Sequence, residues 1–316
     1  MSGYERQRLL VRVAKLYYEE GYGQEKIADL LNLSRPYVSR LLRAAREEGI
    51  VRIQVVDPFN VETPLEREFR ERFGLKKAVI IPGEKDRDPL KRVGEAVARY
   101  LDEVLQDGDV IGTSWGGTIR ACSEALIPRT DRKGLISVQL CGGVSDTSQT
   151  VYASEIAGNF SANLGTKAYL VPTPAVVDSR TVRDLLRKDR SIEQAMHYWK
   201  EAQIALFTAG AFGPHSALVR AGYLKEEEME RLTEKGAVGD VCSHVIDRNG
   251  EICDADLDER TMAIPLAELK RKRIRIGAAQ GFSKVDSLCG LLRGGILNVL
   301  VTDEVTAKSV LERLGE

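Results

Sequence analysis

The spacing of apolar positions along this chain is helical up to Glu48. It alternates briefly after that, and from Lys76 it settles into short apolar runs separated by helical stretches. Tyr4 to Glu20 is predicted as an amphipathic helix with Leu10, Val13, Ala14 and Tyr17 on one face, ended by Gly21-Tyr22-Gly23. Gln24 to Glu48 reads as two helices joined by a tight turn. Ile27, Ala28 and Leu31 give the first an apolar face. At the turn, Asn32 tolerates a left-handed backbone, Leu33 can bury, and Ser34 is a good N-cap; Pro36 falls in the first helical turn, where its missing N–H costs little. In the second helix Val38, Leu41, Leu42 and Ala45 recur at helical spacing and face inward. Arg35, Ser39 and Arg43 share another face, with Tyr37 and Arg40 beside them. Such a helix fits the major groove of DNA, where Arg reads guanine and other side chains hold phosphates. The alternative is a hairpin with solvated arginines, but turn, caps and both faces agree with the DNA-binding motif.

Beyond Gly49, a helix C-terminus signal, Ile50 to Val56 alternates with β-branched residues and reads as a strand, the wing of a winged helix–turn–helix. Arg52 there either touches phosphate or is solvated. Residues 61–74 are predicted as a short helix with Leu65, Phe69 and Phe73 on one side, which either joins two domains or pairs with its twin in a dimer.

Strand-like runs follow at 78–81, 109–112, 136–140, 204–207, 274–279 and 297–302. Helical stretches fall at 89–105, 151–164, 284–293 and 303–314. This alternation means an α/β domain: a doubly wound, mostly parallel sheet with helices on both faces. One interruption, Val241 to Ile252, carries a hairpin turn signal at Arg248-Asn249-Gly250. The expected division is therefore a DNA-binding head at 1–56 and a ligand-binding, oligomerising body at 57–316, with 57–75 as linker and helix.

Charge sharpens this division. The net charge of −1 splits into ten Lys/Arg against seven Asp/Glu in residues 1–56, which is +3, and so −4 in the remainder. A mildly basic head on an acidic body suits a nucleic-acid reader attached to something with another task. The basic run Lys270 to Arg273 reads as a solvated helix end rather than a second nucleic-acid patch. The five cysteines are odd in number and include no Cys-x-x-Cys pair, which argues against a disulfide framework or a zinc site and for a reducing cytosol. No run approaches the roughly 20 apolar residues that span a bilayer. A cytoplasmic protein without membrane contact is expected.

In such sheets ligands bind at the carboxyl ends of strands. Three glycine-rich loops follow predicted strands. In the first, Thr113-Ser114-Trp115-Gly116-Gly117-Thr118, glycines let backbone N–H groups close on an oxyanion while Ser114 and Thr118 offer hydroxyls. It lacks the lysine of a P-loop, so a nucleoside triphosphate is not expected; a purely structural strand-to-helix turn is the competing reading. The second is Cys141-Gly142-Gly143. The third runs from Gly277 through Gln280 to Lys284. A lysine just inside a helix N-terminus opposes the helix dipole and calls for an anionic partner. Asp240 either accepts hydrogen bonds from sugar hydroxyls or caps its own turn. His197, His215 and His244 stand in no nucleophile, base or metal pattern. No catalytic residue, metal or cofactor is expected.

Taken together, IADLLNLSRPYVSRLLRAAREEGIV, DGDVIGTSWGGT, VQLCGG, AVGDVCSHVIDRNGEI and GAAQGFSKVDSLCGLLRGGILNVLVTDEVTA resemble the SorC family of bacterial transcriptional regulators, over nearly the whole chain. The resemblance implies a winged helix–turn–helix followed by a domain related to sugar-phosphate isomerases and deaminases. It also implies a phosphorylated sugar as effector, and dimers or tetramers. Within the family, VVDPF, GDVCSHVIDRNGEIC and LDERT are most similar to the deoxyribonucleoside regulators, which makes deoxyribose-5-phosphate a candidate effector. Carried over, the effector positions fall on Thr113 to Thr118, Gly142, Gly143, Asp240 and Lys284. Two departures widen the range of ligands. Cys141 stands where such relatives can carry a lysine able to form an imine with an aldehyde sugar, and Gln280 stands where a glycine is common. The expectation is an operator-binding oligomer, a repressor released from DNA by its effector, with activation as the alternative. The rival is a sugar-phosphate isomerase, deaminase or lyase fused to a DNA-binding head, working through Lys284 and Asp240.

Overall fold

A computed structural model describes residues 3–48, 50–51, 61–83, 88–129, 131–145 and 152–315. The chain divides into two compact units, residues 1–61 and 62–316.

The first unit is built on three helices, α1 (Gly3–Tyr18), α2 (Gln24–Leu31) and α3 (Arg35–Glu47). Their apolar stripes close on one core of Leu10, Val13, Ala14, Ile27, Ala28, Val38, Leu41, Leu42 and Ala45. The turn between α2 and α3 works as its sequence demands. Asn32 takes the left-handed conformation at φ 57°, and Pro36 lies in the first turn of α3. Ser34 occupies the N-cap position with an extended backbone, yet its hydroxyl makes no capping bond, so the cap is positional only. Ile50 and Val51 pack on this core without forming a strand. The rest of the expected wing, Arg52 included, lies outside the described residues.

The second unit holds a seven-stranded sheet, every pairing of which is parallel. Its strands are β1 (Lys77–Ile81), β2 (Val110–Thr113), β3 (Ile136–Gln139), β4 (Lys167–Tyr169), β5 (Ile204–Thr208), β9 (Ile274–Ala278) and β10 (Val299–Asp303), in the order β1-β10-β9-β5-β2-β3-β4. Between β5 and β9 the chain makes a three-stranded antiparallel sheet from β6 (Gly210–Ala211), β7 (Ala237–Val241) and β8 (His244–Asp247). After β2 the chain moves outward to β3 and β4; after β5 it moves the opposite way, to β9 and β10. The adjacent strands β2 and β5 therefore flank a topological switch point, where departing loops leave a crevice at the carboxyl ends.

The helix expected at 61–74 is α4 (Pro64–Phe73), opened by a capping box between Thr63 and Glu66. It belongs to the second unit. Phe69 is fully buried in that unit's core, Leu65 and Phe73 pack beside it, and Glu66 accepts a 2.9 Å hydrogen bond from the Ile80 N–H of β1. Its apolar side is thus used within the body rather than left for a linker or a helix pair. The basic run also differs from expectation. Lys272 is buried, and its ammonium binds the Trp199 and Lys200 carbonyls and Glu268, while Arg273 pairs with Asp109 at 3.1 Å. Phe69→Ala is expected to destabilise the body by about 3–5 kcal/mol, because the ring is wholly enclosed; urea unfolding of the full chain checks this.

Candidate functional site

The crevice holds a cleft of about 330 Å³, at the small end of the roughly 300–1,000 Å³ usual for small-molecule pockets. A cleft of this size suits a small molecule such as a monosaccharide phosphate. Four main stretches far apart in sequence build it, and Cys141 from the loop after β3, residues 215–217 and Arg220 add to the lining. The loop after β2 brings Ser114 to Thr118, and the end of β5 brings Thr208 with Gly210 and Ala211. The hairpin of β7 and β8 brings Asp240, Cys242 and Ser243, and the loop after β9 brings Gln280, Ser283 and Lys284.

Lys284 is the centre of the site. Its ammonium donates to the Thr118 hydroxyl and the Thr208 hydroxyl, each at 2.8 Å. The backbone beneath it is anchored: the Gly281 N–H binds the Thr306 hydroxyl at 2.9 Å, and that hydroxyl donates to Asp303 at 2.6 Å. Burial pulls the ammonium down to about 8, opposed by the charge of Asp240 and by the nearby Cys122 thiol. Burial pushes the Asp240 carboxyl up to about 6, opposed by the Ser243 N–H bond at 3.1 Å, by Lys284 and by His244. In both groups desolvation outweighs their mutual attraction. At neutral pH the cleft holds two charges short of partners, as expected of a site shaped for a polar, charged ligand.

Other groups also await partners. The Ser114 and Ser243 hydroxyls are buried and make no hydrogen bond. Gly116, at φ 110°, precedes the helix Gly117–Glu124 without a side-chain cap, so the first N–H groups of that helix, beside the cleft-lining Gly117 and Thr118, are uncapped. The turn joining β7 to β8 places both Cys242 (φ 47°) and Ser243 (φ 69°) in the left-handed region. Asp240 accepts the Ser243 N–H and so supports this costly backbone. Gly210 is needed for the same reason, since a Cβ there would stand 1.8 Å from an Asp240 oxygen.

The residues singled out from sequence fall as follows. Ser114, Trp115, Gly116, Gly117, Thr118, Cys141, Asp240, Gln280 and Lys284 line the cleft. Thr113, the last residue of β2, does not. It faces a small internal cavity with Ser137 and Gln139. Gly142 and Gly143 also do not line it. The Gly142 carbonyl accepts the Trp115 indole N–H at 2.8 Å, and a Cβ on Gly142 would meet the Pro174 carbonyl oxygen at 2.2 Å. That glycine therefore serves close packing, fixing Trp115 in place. Ser283, named in sequence with the third loop, lines the cleft as well; Thr208, Gly210, Cys242 and Ser243 were not singled out as site residues, and only the fold gathers them there. His215 lies at the rim, while His244 is buried between Asp258 and the Ile264 carbonyl.

In the first unit, Arg35, Pro36, Ser39, Arg40 and Arg43 are exposed on α3, and Tyr37 is half-buried. Their ties are slight: Arg35 to Glu25 at 3.4 Å, Arg43 to Glu47 at 3.8 Å, and Arg40 over the Tyr37 ring at 5.5 Å. Such exposed pairs contribute about 0–1 kcal/mol, so the guanidiniums can be redirected to phosphate and base edges at little cost.

A family model described as "Putative sugar-binding domain" matches residues 57–312, and a homeodomain-like domain matches residues 2–53. The chain is 39% identical over 315 residues to the deoxyribonucleoside regulator of Bacillus subtilis (strain 168), covering 98% of this chain and 99% of that one. It is 32% identical to the sorbitol operon regulator of Klebsiella pneumoniae, covering 96% and 98% of the two chains. The chain belongs to the SorC family of transcriptional regulators. The solved structure of the full-length SorC from Klebsiella pneumoniae matches it with a TM-score of 0.80 at 31% identity, covering 96% of this chain and 98% of that one. A domain of a possible sugar-binding transcriptional regulator from Arthrobacter aurescens TC1 matches with a TM-score of 0.73 at 27% identity, covering 81% of this chain and all of that one. A SorC-family regulator thus has an N-terminal helix–turn–helix and a mostly parallel α/β body. Among the described residues, no helix is long and apolar enough to cross a membrane.

Asp240→Asn is expected to stabilise the unliganded chain by about 1–2 kcal/mol at pH 7.5, a value discounted for screening at the cleft mouth. A raised folded pKa means that the native state binds the proton more tightly. The cost of ionised Asp240 is therefore full above about pH 6 and fades as pH falls towards the unfolded value near 4. Thermal melts of both proteins at pH 7.5 and 4.5 test this: the advantage of the variant should shrink at the lower pH.

Proposed function

We propose that this regulator binds operator DNA as a homodimer or homotetramer through α3, and that a phosphorylated sugar in the β2/β5 crevice controls that binding. The observation that carries the reading is Lys284, a cation held by two hydroxyls and opposed by Asp240, at a strand switch point with an uncapped helix N-terminus. An anionic ligand relieves the desolvated ammonium, and sugar hydroxyls satisfy Asp240, Ser114 and Ser243. Deoxyribose-5-phosphate is the leading candidate, supported by the deoxyribonucleoside regulator among the relatives. A cytoplasmic location follows from work on DNA. The effector acts by binding two arrangements of the oligomer with different affinity. The expected sign is release of DNA.

Arg35, Ser39, Arg40 and Arg43, with Pro36 and Tyr37 shaping the start of the helix, form the surface that enters the major groove. Half-sites of a pseudo-palindromic operator then lie one or more helical turns apart.

The test is fluorescence anisotropy of the full chain on labelled DNA from upstream of its own gene, titrated with phosphosugars and their unphosphorylated parents. One phosphosugar should weaken DNA binding at least fivefold while its parent sugar does nothing. Lys284→Ala should bind DNA normally and ignore the phosphosugar. Indifference of the wild-type complex to every phosphosugar contradicts the reading. So does turnover of a phosphosugar that Lys284→Ala abolishes, which is the behaviour of an enzyme.

The pH dependence has a definite sign. Lys284 must be protonated to hold the phosphate, and its pKa is about 8 in the free protein. Effector affinity should therefore hold up to about pH 8 and fall by up to tenfold per unit above it, as Lys284 titrates in the free protein, until it titrates in the complex as well. Calorimetric titrations between pH 7 and 10 read this directly, and a flat profile contradicts it.

A further inference from the structure

Two stretches singled out in sequence, GDVCSHVIDRNGEIC and LDERT, meet behind the wall of the cleft. His244, from the first, is 4% exposed and does not line the cleft. Its Nδ1 lies 2.5 Å from an oxygen of Asp258, from the second, and its Nε2 lies 2.8 Å from the Ile264 carbonyl oxygen. A carbonyl and a carboxylate only accept, so the ring donates from both nitrogens. Both acceptors are themselves fixed. The Ile264 N–H donates to the carbonyl of Leu140, just beyond β3, at 2.8 Å. Asp258 lies on the short helix Ala255–Glu259, which Asp254 caps, and Lys235 holds Asp254 at 2.7 Å. The imidazole thus ties the start of β8 to two anchored parts of the body.

What it ties down is a costly turn. Val241 and His244 pair across the hairpin, so Cys242 and Ser243 alone make the reversal, both in the left-handed region. Such turns favour Asn and Gly, and this one has neither. Inside the turn, Asp240 accepts the Ser243 N–H at 3.1 Å. Behind it, the next residue in the chain is His244. A turn freed at His244 relaxes away from left-handed values and draws the Ser243 N–H off Asp240.

We propose that His244 is a positioning residue of the effector site: by gripping Asp258 and the Ile264 carbonyl it holds the left-handed Cys242–Ser243 turn, and so sets Asp240 where a ligand hydroxyl meets it. This rests on the phosphosugar reading of the cleft and adds to it the part that keeps the site assembled before the ligand arrives. Apparent affinity scales with the fraction of molecules in the competent form, so a freed turn that leaves about one molecule in ten competent costs about tenfold in affinity.

The test is calorimetry with deoxyribose-5-phosphate on the full-length wild type, Asp258→Ala, Asp258→Asn, His244→Leu and the double variant His244→Leu/Asp258→Ala, with a thermal melt of each to verify folding. Asp258 does not line the cleft, yet Asp258→Ala should weaken binding about five- to tenfold. Asp258→Asn keeps an acceptor oxygen for Nδ1 and should stay within about twofold of the wild type. The double variant should bind no more weakly than His244→Leu, because both changes break one contact. Wild-type affinity in folded Asp258→Ala overturns the proposal. So does a loss in the double variant equal to the product of the two single losses. An equal loss in Asp258→Asn and Asp258→Ala overturns it too, since the charge of the carboxylate and not its grip on the ring would then matter. Should His244→Leu fail to fold, the two Asp258 variants decide alone. If the wild type does not bind deoxyribose-5-phosphate, the effector assignment fails and this proposal with it; every other adverse outcome leaves that assignment standing.

Discussion

A single desolvated ammonium organises the candidate site in the body of this protein. Lys284 stands at the carboxyl end of a parallel sheet, where two strands send their chains in opposite directions. Two threonine hydroxyls from separate strand ends reach it, Thr118 from beyond β2 and Thr208 from the end of β5. Asp240 comes to the same place from a hairpin, opposite Gly210, whose lack of a Cβ leaves room for the carboxylate. Burial outweighs the attraction between the two charges, which is why the proposed ligand is anionic and hydroxylated. The rest of the crevice is fitted to that need, with two buried serine hydroxyls and a helix N-terminus left open.

This construction supports the proposed role of the body as a sensor. The binding groups are present, and their charges are adjusted by burial. The two histidines near the cleft have other settings, one at the exposed rim and one locked between Asp258 and a carbonyl. The head carries the complementary chemistry. Its arginines sit on the solvent face of α3, held by long ion pairs that yield easily, while the opposite face of the helix is packed into a core of its own. Two compact units, each with its own core, separate reading DNA from sensing a ligand.

Much of this was legible in the sequence because it rests on local rules. Asn32, Pro36 and the apolar stripe of α3 specify the helix–turn–helix by spacing alone. The alternation of apolar runs and helices specifies a parallel sheet, and glycine-rich loops after strands mark its ligand edge. What escaped is non-local. Thr208 is an ordinary residue at a strand end until the sheet order places it beside Lys284. The turn at Cys242 and Ser243 was hidden because neither residue is the Asn or Gly that such a turn favours; the Arg248-Asn249-Gly250 signal nearby drew attention to a second, separate turn. Gly142 looked like part of an anion cradle, but its carbonyl and its lack of a Cβ serve to seat Trp115. The side of α4 that suggested a linker or a dimer contact is filled by the body's own core, a fact that periodicity does not reveal.

The account depends most on where the effector sits. A crystal structure of the full chain soaked with deoxyribose-5-phosphate tests this directly. The phosphosugar should lie between the ends of β2 and β5, with an anionic oxygen within hydrogen-bond distance of the Lys284 ammonium and a hydroxyl on Asp240. A phosphosugar bound elsewhere, with Lys284 still held only by Thr118 and Thr208, would contradict it.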